Sequence, residues 1–538
     1  MYARAASGTV IGVEALPVVV EAHRGNGLPL TNVIGLARGA VKESAVRVRS
    51  AIAACGVHLG TQRQVLNLLP AELPKEASAL DLALAVSLLA AAEVVPLAAL
   101  AGRRFYAELS LGGSLEPVRG AVLMADLARR HGETEIIVPH ANAAEAAIIP
   151  GVRVIGARHL SEVIAHLTGA EVVTPAAPVE PAPSAGHGCL SEVKGQRLAK
   201  RALEVAAAGN HNLLMVGPPG SGKTMLARRL PGILPELSAD ESIEVTRVHS
   251  AAGQLRSGCG LVRSRPFRAP HHTASEAALC GGGSIPRPGE ITLAHRGVLF
   301  LDELPEFSRR GLESLREPLE EGCIQIARAS LSLCFPAQVL LVAAMNPCPC
   351  GRFQGDLRRL GATPAKVGAL CLCSLSEVQR YRSRISGPLL DRIDLHVPVQ
   401  AVAYRDYATA AAGETSAVVR ARVLAARARQ TARLGPGRSN CQMQEREVRE
   451  HVALDDASLR LIEQAIDVHG LSTRGSGRIL KVARTIADLA AAEAVTATHV
   501  AEAIQYRMLD WASAEAGADL DDDARQPTPW QHDTAPCA

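Results

Sequence analysis

A strand, a glycine-rich loop and a helix follow one another near residue 220 and constrain the fold more than any other feature. Apolar residues 212–216 predict a short buried strand, and residues 225–230 fit a helix. The loop between them has the pattern G-x-x-x-x-G-K-T and consists of Gly217, Pro218, Pro219, Gly220, Ser221, Gly222, Lys223 and Thr224. Its glycines let successive backbone N–H groups converge on an anion at a helix N-terminus. The flanking strand and helix favour a phosphate-binding loop in an α/β domain over a chance turn.

A second apolar segment supplies the carboxylates that such a loop requires. Residues 297–303 predict a buried strand that ends in Asp302 and Glu303. We expect Lys223 to reach the β- and γ-phosphates of ATP, and Thr224 and Asp302 to hold Mg²⁺. Glu303 would orient or deprotonate the attacking water. ATP and Mg²⁺ are therefore the predicted cofactors.

Two later segments resemble further parts of AAA+ ATPase sites. Residues 338–345 predict a buried strand that ends at Asn346, in the position of the sensor 1 residue of that superfamily. Residues 386–394 resemble its arginine-finger element, which places Arg392 in the site of a neighbouring subunit and implies a ring. The alternative for Arg392 is a surface salt bridge to Asp391 or Asp394.

Composition and a proline-rich segment divide the chain into predicted domains. The 538 residues suffice for several domains, and a formal charge of +3 leaves room only for a local nucleic-acid footprint. Residues 173–188 are rich in proline and alanine and predict a linker. The predicted order is an N-terminal domain at 1–172, an ATPase core at 189–400 with a parallel sheet, a helical lid at 401–512 and a disordered acidic tail at 513–538.

Four cysteines in two C-x-C pairs form a candidate metal site. Cys348, Cys350, Cys371 and Cys373 span a distance that suits tetrahedral Zn²⁺, although free thiols with no shared role are an equal alternative. The residues between the pairs carry an excess of basic side chains, namely Arg352, Arg358, Arg359 and Lys366. A stapled basic loop of this kind would suit a phosphate backbone.

A second basic segment lies in the predicted lid. Residues 416–438 predict a helix and its exit, with a narrow apolar stripe and no acidic residue. We expect the helix to pack on the domain and present its arginines outward, either to a ligand or simply to solvent. These arginines are Arg420, Arg422, Arg427, Arg429, Arg433 and Arg438.

Together these motifs resemble the YifB/ComM family of magnesium-chelatase-like AAA+ ATPases. The resemblance extends to about residue 510 and is most specific in the segments PHHT and MNPCPCG. It implies that Arg474 is the sensor 2 arginine of the lid, with Arg478, one turn later, as the alternative. Other segments that carry it are 265–283, 287–307, 315–322, 386–395 and 478–490.

The N-terminal part resembles the proteolytic domain of Lon, an α+β domain of the S5-like type. Residues 73–91, 109–132 and 136–146 carry this resemblance, with Ser78 near the place of the nucleophile. The activating lysine expected after Gly120 is absent, because Ala121 and the residues after it are apolar. We therefore expect a domain that is kept for assembly or partner binding and does not cleave peptides.

The family resemblance implies a ring-shaped, hexameric, ATP-dependent motor that acts on single-stranded or branched DNA. Its ComM branch implies branch migration in recombination and natural transformation. The alternatives are a chelatase-type motor that remodels a protein partner and, less favoured, a Lon-like protease. Because Glu14 interrupts the apolar start and residues 82–92 are too few to span a bilayer, we expect a cytoplasmic protein without membrane contact.

Overall fold

The chain forms two compact units, each built from two stretches of sequence. In the computed structural model the first unit comprises residues 1–187 and 235–341, and the second comprises residues 188–234 and 342–538. The side chains of residues 38–42, 328, 331, 468, 469, 473 and 474 are not described. The structure describes residues 1–25, 31–35, 38–60, 62–75, 78–179, 188–255, 258–283, 286–328, 331–353, 371–401, 413–469 and 473–507.

The N-terminal part of the first unit is a mixed sheet with helices. Its strands are β1 (Tyr2–Ile11), β2 (Glu14–Gly25), β3 (Thr31–Ile34), β4 (Arg63–Leu69), β5 (Arg103–Phe105), β6 (Glu108–Leu109), β7 (Leu115–Glu116), β8 (Glu135–Pro139) and β9 (Arg153–Ala157). Its helices are α1 (Arg38–Ala54), α2 (Asp81–Ala91), α3 (Ala121–Arg130), α4 (His140–Ala146) and α5 (Leu160–Thr168).

Seven of these strands form one sheet in the order β3-β4-β2-β1-β5-β8-β9. β1 and β2 pair antiparallel from Tyr2 opposite His23 to Ile11 opposite Glu14, whereas β5, β8 and β9 pair parallel. Every residue of α2 is buried. The apolar run at 82–92 is therefore a core helix, as its length favours. No helix in the described part of the chain has the length and apolarity that a membrane span requires.

The rest of the first unit carries the second carboxylate segment. Its strands are β11 (Phe267–Arg268), β12 (Gly281–Gly282), β13 (Arg287–Pro288), β14 (Val298–Leu301), β15 (Cys323–Arg328) and β16 (Leu331–Pro336). Its helices are α8 (Ala239–Ala251), α9 (Glu276–Cys280), α10 (Glu290–Leu293), α11 (Arg309–Glu313) and α12 (Arg316–Glu321). β11 pairs parallel with β14, and β15 pairs antiparallel with β16.

The second unit combines a parallel sheet with a helical C-terminal part. Its strands are β10 (Leu213–Val216), β17 (Leu340–Met345), which begins at the end of the first unit, and β18 (Leu395–Pro398). β10 pairs parallel with both β17 and β18. The helices are α6 (Arg197–Gly209), α7 (Lys223–Arg229), α13 (Leu375–Arg382), α14 (Gly387–Leu390), α15 (Ser416–Leu434), α16 (Glu445–His451), α17 (Asp456–His469), α18 (Thr473–Leu489) and α19 (Ala497–Gln505).

The chain is therefore a mixed α/β protein with parallel strands, consistent with a P-loop AAA+ core. The described residues from 416 to 505 contain helices and no strand, as the sequence predicts. Predicted linker residues 173–179 have no regular structure, whereas residues 180–187 and the predicted tail lie outside the described residues. The predicted domain boundaries and the Lon-like character of the N-terminal part stay predictions.

Candidate functional site

The glycine-rich loop has the backbone that a phosphate cradle requires. It connects β10 to α7, and Gly220 and Gly222 adopt positive φ angles of 74° and 91°. Side chains with a Cβ rarely adopt such angles, and the space a Cβ would enter at both positions is open. Gly217 is needed for another reason, because a Cβ there would collide with the carbonyl oxygen of Val399.

Carbonyl groups of the loop hold the Lys223 side chain in place. The side chain is buried, and its Nζ donates to the carbonyl oxygens of Gly217 and Pro218 at 2.7 and 3.0 Å. It also donates to Oδ1 of Asn346 at 3.3 Å. The second unit thus brings Lys223 and Asn346 together, because β10 and β17 are parallel neighbours and both residues follow strand ends at one edge.

One polar atom of the loop lacks a partner. The hydroxyl of Ser221 is buried and has no hydrogen-bond partner among the described residues. A buried hydroxyl without a partner is costly unless a ligand satisfies it. Together with the open space above Gly220 and Gly222, it shows that the loop fits a phosphate group. Lys223 would hold that group. Thr224 follows Lys223 in sequence, and its hydroxyl would bind Mg²⁺.

Asp302 and Glu303 directly follow β14 in the first unit. The Glu303 amide donates to Oδ1 of Asp302 at 3.0 Å, which orients that carboxylate. Glu303 has a positive φ of 53° and a side chain that is 54% exposed. Its Oε2 lies 3.1 Å from Nδ1 of His272. Sequence reasoning missed this partner, because the PHHT segment carries no spacing that links it to a carboxylate.

The four cysteines of the candidate metal site meet in the second unit. Their Sγ atoms all lie within 4.8 Å of one another, and three of the pairs are 3.4 to 3.7 Å apart. Tetrahedral Zn²⁺ with Zn–S bonds of about 2.3 Å needs sulfur atoms about 3.8 Å apart. The Phe353 amide also donates to Cys348 Sγ at 3.3 Å, as a backbone donor to a thiolate would. The donors therefore fit a zinc ion.

The protonation of these thiols supports a shared cation. Burial raises the pKa of Cys371 to about 12, and its hydrogen bonds to Cys350 and Cys348 act in the same direction. For Cys350 burial also raises the pKa, but hydrogen bonds from the Arg352 amide and the neighbouring thiols outweigh it and lower the pKa to about 6. Cys350 thus loses its proton easily and Cys371 with difficulty, and a metal cation would compensate for the mutual repulsion of the thiolates.

The cysteine cluster adjoins the glycine-rich loop. Gly351 has a positive φ of 75°, and a Cβ there would collide with the ring of Pro219. The Arg382 guanidinium of α13 donates to the Pro347 carbonyl and lies 5.2 Å from the ring centroid of Phe353. The segment between Asn346 and Phe353 is therefore packed between the phosphate loop and α13.

Arg392 is buried in its own chain, with 6% of its surface exposed. Its Nη1 donates to the Pro388 carbonyl at 2.6 Å. The two nearby carboxylates contact other arginines, since Asp394 pairs with Arg478 at 2.6 Å and Asp391 lies 3.8 Å from Arg507. The finger role of Arg392 stays a prediction, and reaching another subunit would require the side chain to leave Pro388.

Asp394 is the centre of a buried polar network that sequence reasoning also missed. Its Oδ2 lies 3.3 Å from Nδ1 of His211, whose Nε2 lies 2.8 Å from the Thr485 hydroxyl on α18. Burial alone would raise the pKa of Asp394, but Arg478 and His211 outweigh it and hold the pKa well below its usual range. Arg478 thus faces Asp394. The side chain of Arg474 lies outside the described residues, so its sensor 2 role stays a prediction.

The arginines of α15 hold the helix onto its own unit. The expectation that the arginines of 416–438 point outward is wrong for Arg422, Arg427, Arg433 and, just past the end of the helix, Arg438. The apolar stripe buries one face, and these half-buried side chains bend back to nearby acceptors, whereas Arg429 is exposed. These contacts are Arg422 to Glu204 and Glu414, Arg427 to the Ala207 carbonyl, Arg429 to the Asp488 carbonyl, Arg433 to the Asp488 carboxylate, and Arg438 to Glu447.

Ser78 begins a 3₁₀ turn before α2 and is half-buried. Among the described residues it has no lysine or histidine at hydrogen-bond distance. The lysine nearest in sequence, Lys75, donates to the carbonyl oxygens of Gly35 and Leu73. That this domain does not cleave peptides stays a prediction.

Comparisons with known proteins show which family the chain resembles. Three family models match, described as "Magnesium chelatase, subunit ChlI" at residues 189–407, "Magnesium chelatase, subunit ChlI C-terminal" at 413–507 and "Subunit ChlI of Mg-chelatase" at 20–142. The chain is similar to YifB of Escherichia coli, with 43% identity over 502 residues that cover 93% of this chain and 96% of YifB.

Two further relatives differ in how much of the chain they match. The chain is 42% identical to the competence protein ComM of Haemophilus influenzae over 515 residues, which cover 95% of this chain and 97% of ComM. It is 27% identical to the magnesium-chelatase 67 kDa subunit of Chlorobaculum tepidum over 174 residues, which cover 32% of this chain and 25% of that subunit. With near-complete coverage and more than two-fifths identity to YifB and ComM, the chain belongs to the YifB/ComM family of magnesium-chelatase-like proteins.

Proposed function

We propose that this protein is an ATPase that forms a hexameric ring and drives DNA branch migration during recombination and natural transformation. The likeness to the competence protein ComM over nearly the whole of both chains carries the proposal. The phosphate loop supports the ATPase part, because its buried Ser221 hydroxyl and open glycines fit a nucleotide phosphate.

Each residue of the proposed ATPase has a distinct task. Lys223 would exchange its backbone carbonyl partners for phosphate oxygens, which is a favourable exchange because the new hydrogen bonds join opposite charges. Thr224 and Asp302 would hold Mg²⁺, the ion that neutralises charge on the phosphates. Glu303 would take up the proton of the attacking water or orient that water, and Asn346 would contact the γ-phosphate.

DNA binding requires cationic side chains that have no acidic partner nearby. The arginines of α15 are engaged, and Arg268 is paired with Glu290 at 2.7 Å. Arg352, in contrast, is exposed and lies between the two cysteine pairs in sequence. We infer that the DNA contact lies around the cysteine cluster and the basic residues between its two pairs.

Steady-state ATP hydrolysis with and without DNA tests this assignment. We expect single-stranded or branched DNA to stimulate turnover, and the stimulation to weaken as salt increases. Arg352→Gln should weaken the stimulation. Arg449→Gln is the matched control, since Arg449 is exposed but paired with Glu445. Turnover that no DNA changes would contradict the proposal.

We also propose that the cysteine cluster holds Zn²⁺. The ion would fix the segment that joins Asn346 to α13. Protein purified from defined medium with zinc should contain about one zinc per chain. Cys371→Ser should lose the metal, whereas Cys259→Ser, an exposed cysteine outside the cluster, should keep it. Metal-free wild-type protein under these conditions would contradict the site.

A chelatase-type motor that remodels a protein partner is the second candidate. The descriptions of all three matching family models favour it. Such a motor would hydrolyse ATP in response to a protein and remain indifferent to DNA. The same ATPase measurement therefore separates the two candidates.

A further inference from the structure

We propose that His272 is a positioning residue for Glu303 that fixes the carboxylate for its role in ATP hydrolysis. The proposal rests on the proposed ATPase function. It assigns a task to the PHHT segment, whose second histidine has its Nδ1 3.1 Å from Oε2 of Glu303. Donation to a carboxylate requires that Nδ1 carries the proton, which leaves Nε2 on the far side of the ring.

The fold itself brings the two residues together. His272 lies four residues after β11, and Glu303 lies two residues after β14. The two strands are parallel neighbours, with Phe267 opposite Val298 and Arg268 opposite Leu299. Their carboxyl ends therefore reach the same edge, where functional groups of parallel sheets gather. The loop between β11 and α9 is then the structural support of Glu303.

Glu303 needs such a support. Its side chain is 54% exposed, and its backbone has the unfavourable positive φ of 53°. An exposed glutamate loses considerable rotamer entropy when one conformation is selected. His272, whose side chain is 31% exposed, is more enclosed than Glu303 and places its Nδ1 beside the carboxylate. The close contact with Nδ1 of His272 therefore favours one conformation of the carboxylate before the reaction begins.

The neighbouring histidine does not share this task. His271 is exposed, and its Nδ1 lies 2.9 Å from the hydroxyl of Thr273 in its own loop. The two adjacent histidines thus differ in polar partner, although their ring centroids lie 4.2 Å apart, and the same substitution at each separates positioning of Glu303 from a general effect on the loop.

Steady-state ATPase kinetics of three single variants test the proposal. His272→Ala should lower kcat by about 10- to 100-fold, because a misplaced catalytic group loses most of its effect. KM for ATP and the affinity for a fluorescent ATP analogue should stay unchanged, since Glu303 acts after binding. His272→Asn, which places an amide N–H near the position of Nδ1, should restore most of kcat. His271→Ala should match the wild type.

A double variant makes the test specific to Glu303. Combined with Glu303→Gln, His272→Ala should cause no further loss of the residual rate, because both changes affect one step. An additional loss in the double variant, or a normal kcat in His272→Ala alone, would overturn the positioning role. If Glu303→Gln turned over normally, the proposed ATPase site itself would be wrong, and that result is distinct from a failure of His272 alone.

Discussion

Replacing Asp394 by asparagine removes the charge at the centre of the buried network and keeps the shape of the side chain. Asp394 is 5% exposed and contacts Arg478 at 2.6 Å and His211 at 3.3 Å. His211 is fully buried, whereas the Arg478 side chain is 26% exposed. Asp391 lies three residues earlier, is 43% exposed and contacts Arg507 only at 3.8 Å. The same substitution there is the matched control.

The two substitutions should lower the free energy of unfolding by different amounts. Removing one partner of a buried ion pair costs about 3 to 5 kcal/mol, and the lower end applies because water can reach part of Arg478. A loss of about 3 kcal/mol lowers the Tm of a unit of this size by roughly 6 to 12 °C. Asp391→Asn should cost less than about 0.5 kcal/mol, as exposed pairs do.

Differential scanning calorimetry of the full chain measures both variants against the wild type. We expect one transition, that of the second unit, to move down in Asp394→Asn and to stay in place in Asp391→Asn. Equal shifts in the two variants, or an unchanged Tm in Asp394→Asn, would refute the reasoning that this carboxylate joins β18 to α18.

Three further predictions concern the rest of the molecule. Burial raises the pKa of Glu145 to about 7. The contribution of Glu145 to the free energy of unfolding should therefore be complete below its unfolded pKa of about 4.5 and be lost as pH rises through about 7. The loss should reach about 3 kcal/mol and disappear in Glu145→Gln, as melting curves across this pH range would show. Lys223→Ala should weaken ATP binding by about 10- to 100-fold in a nucleotide titration, whereas Glu303→Gln should bind ATP and keep only a residual turnover rate. Arg392→Ala should bind ATP but not hydrolyse it. If Arg392 acts in the site of a neighbouring subunit, mixing this variant with Glu303→Gln should restore some ATPase activity, and no recovery would contradict that role.

Sequence reasoning succeeded where local constraints act. The glycines of the phosphate loop, the short buried strands on either side and the position of Asn346 at a strand end all follow from patterns within about ten residues. The predicted strands at 212–216, 297–303 and 338–345 are present, each slightly shorter than predicted. The four cysteines also meet, because tight C-x-C pairs leave each pair little freedom.

Contacts between distant segments could not be predicted. The segment 308–322 forms two helices, α11 and α12, separated by a turn at Ser314 and Leu315. The hairpin of β15 and β16 was not predicted, and the division of the chain into units cuts across the predicted ATPase core. The pair of His272 with Glu303 depends on which strands are neighbours. The direction of the α15 arginines depends on acceptors more than fifty residues away in sequence, such as Asp488.

The most direct test of the account is the conversion of a synthetic four-way DNA junction into duplex products by the purified protein. Wild-type protein with ATP and Mg²⁺ should convert the junction, and Glu303→Gln should bind the junction without converting it. Conversion that proceeds equally without ATP, or vigorous ATP hydrolysis with no conversion of any branched DNA, would contradict the claim that this chain is an ATP-driven DNA motor.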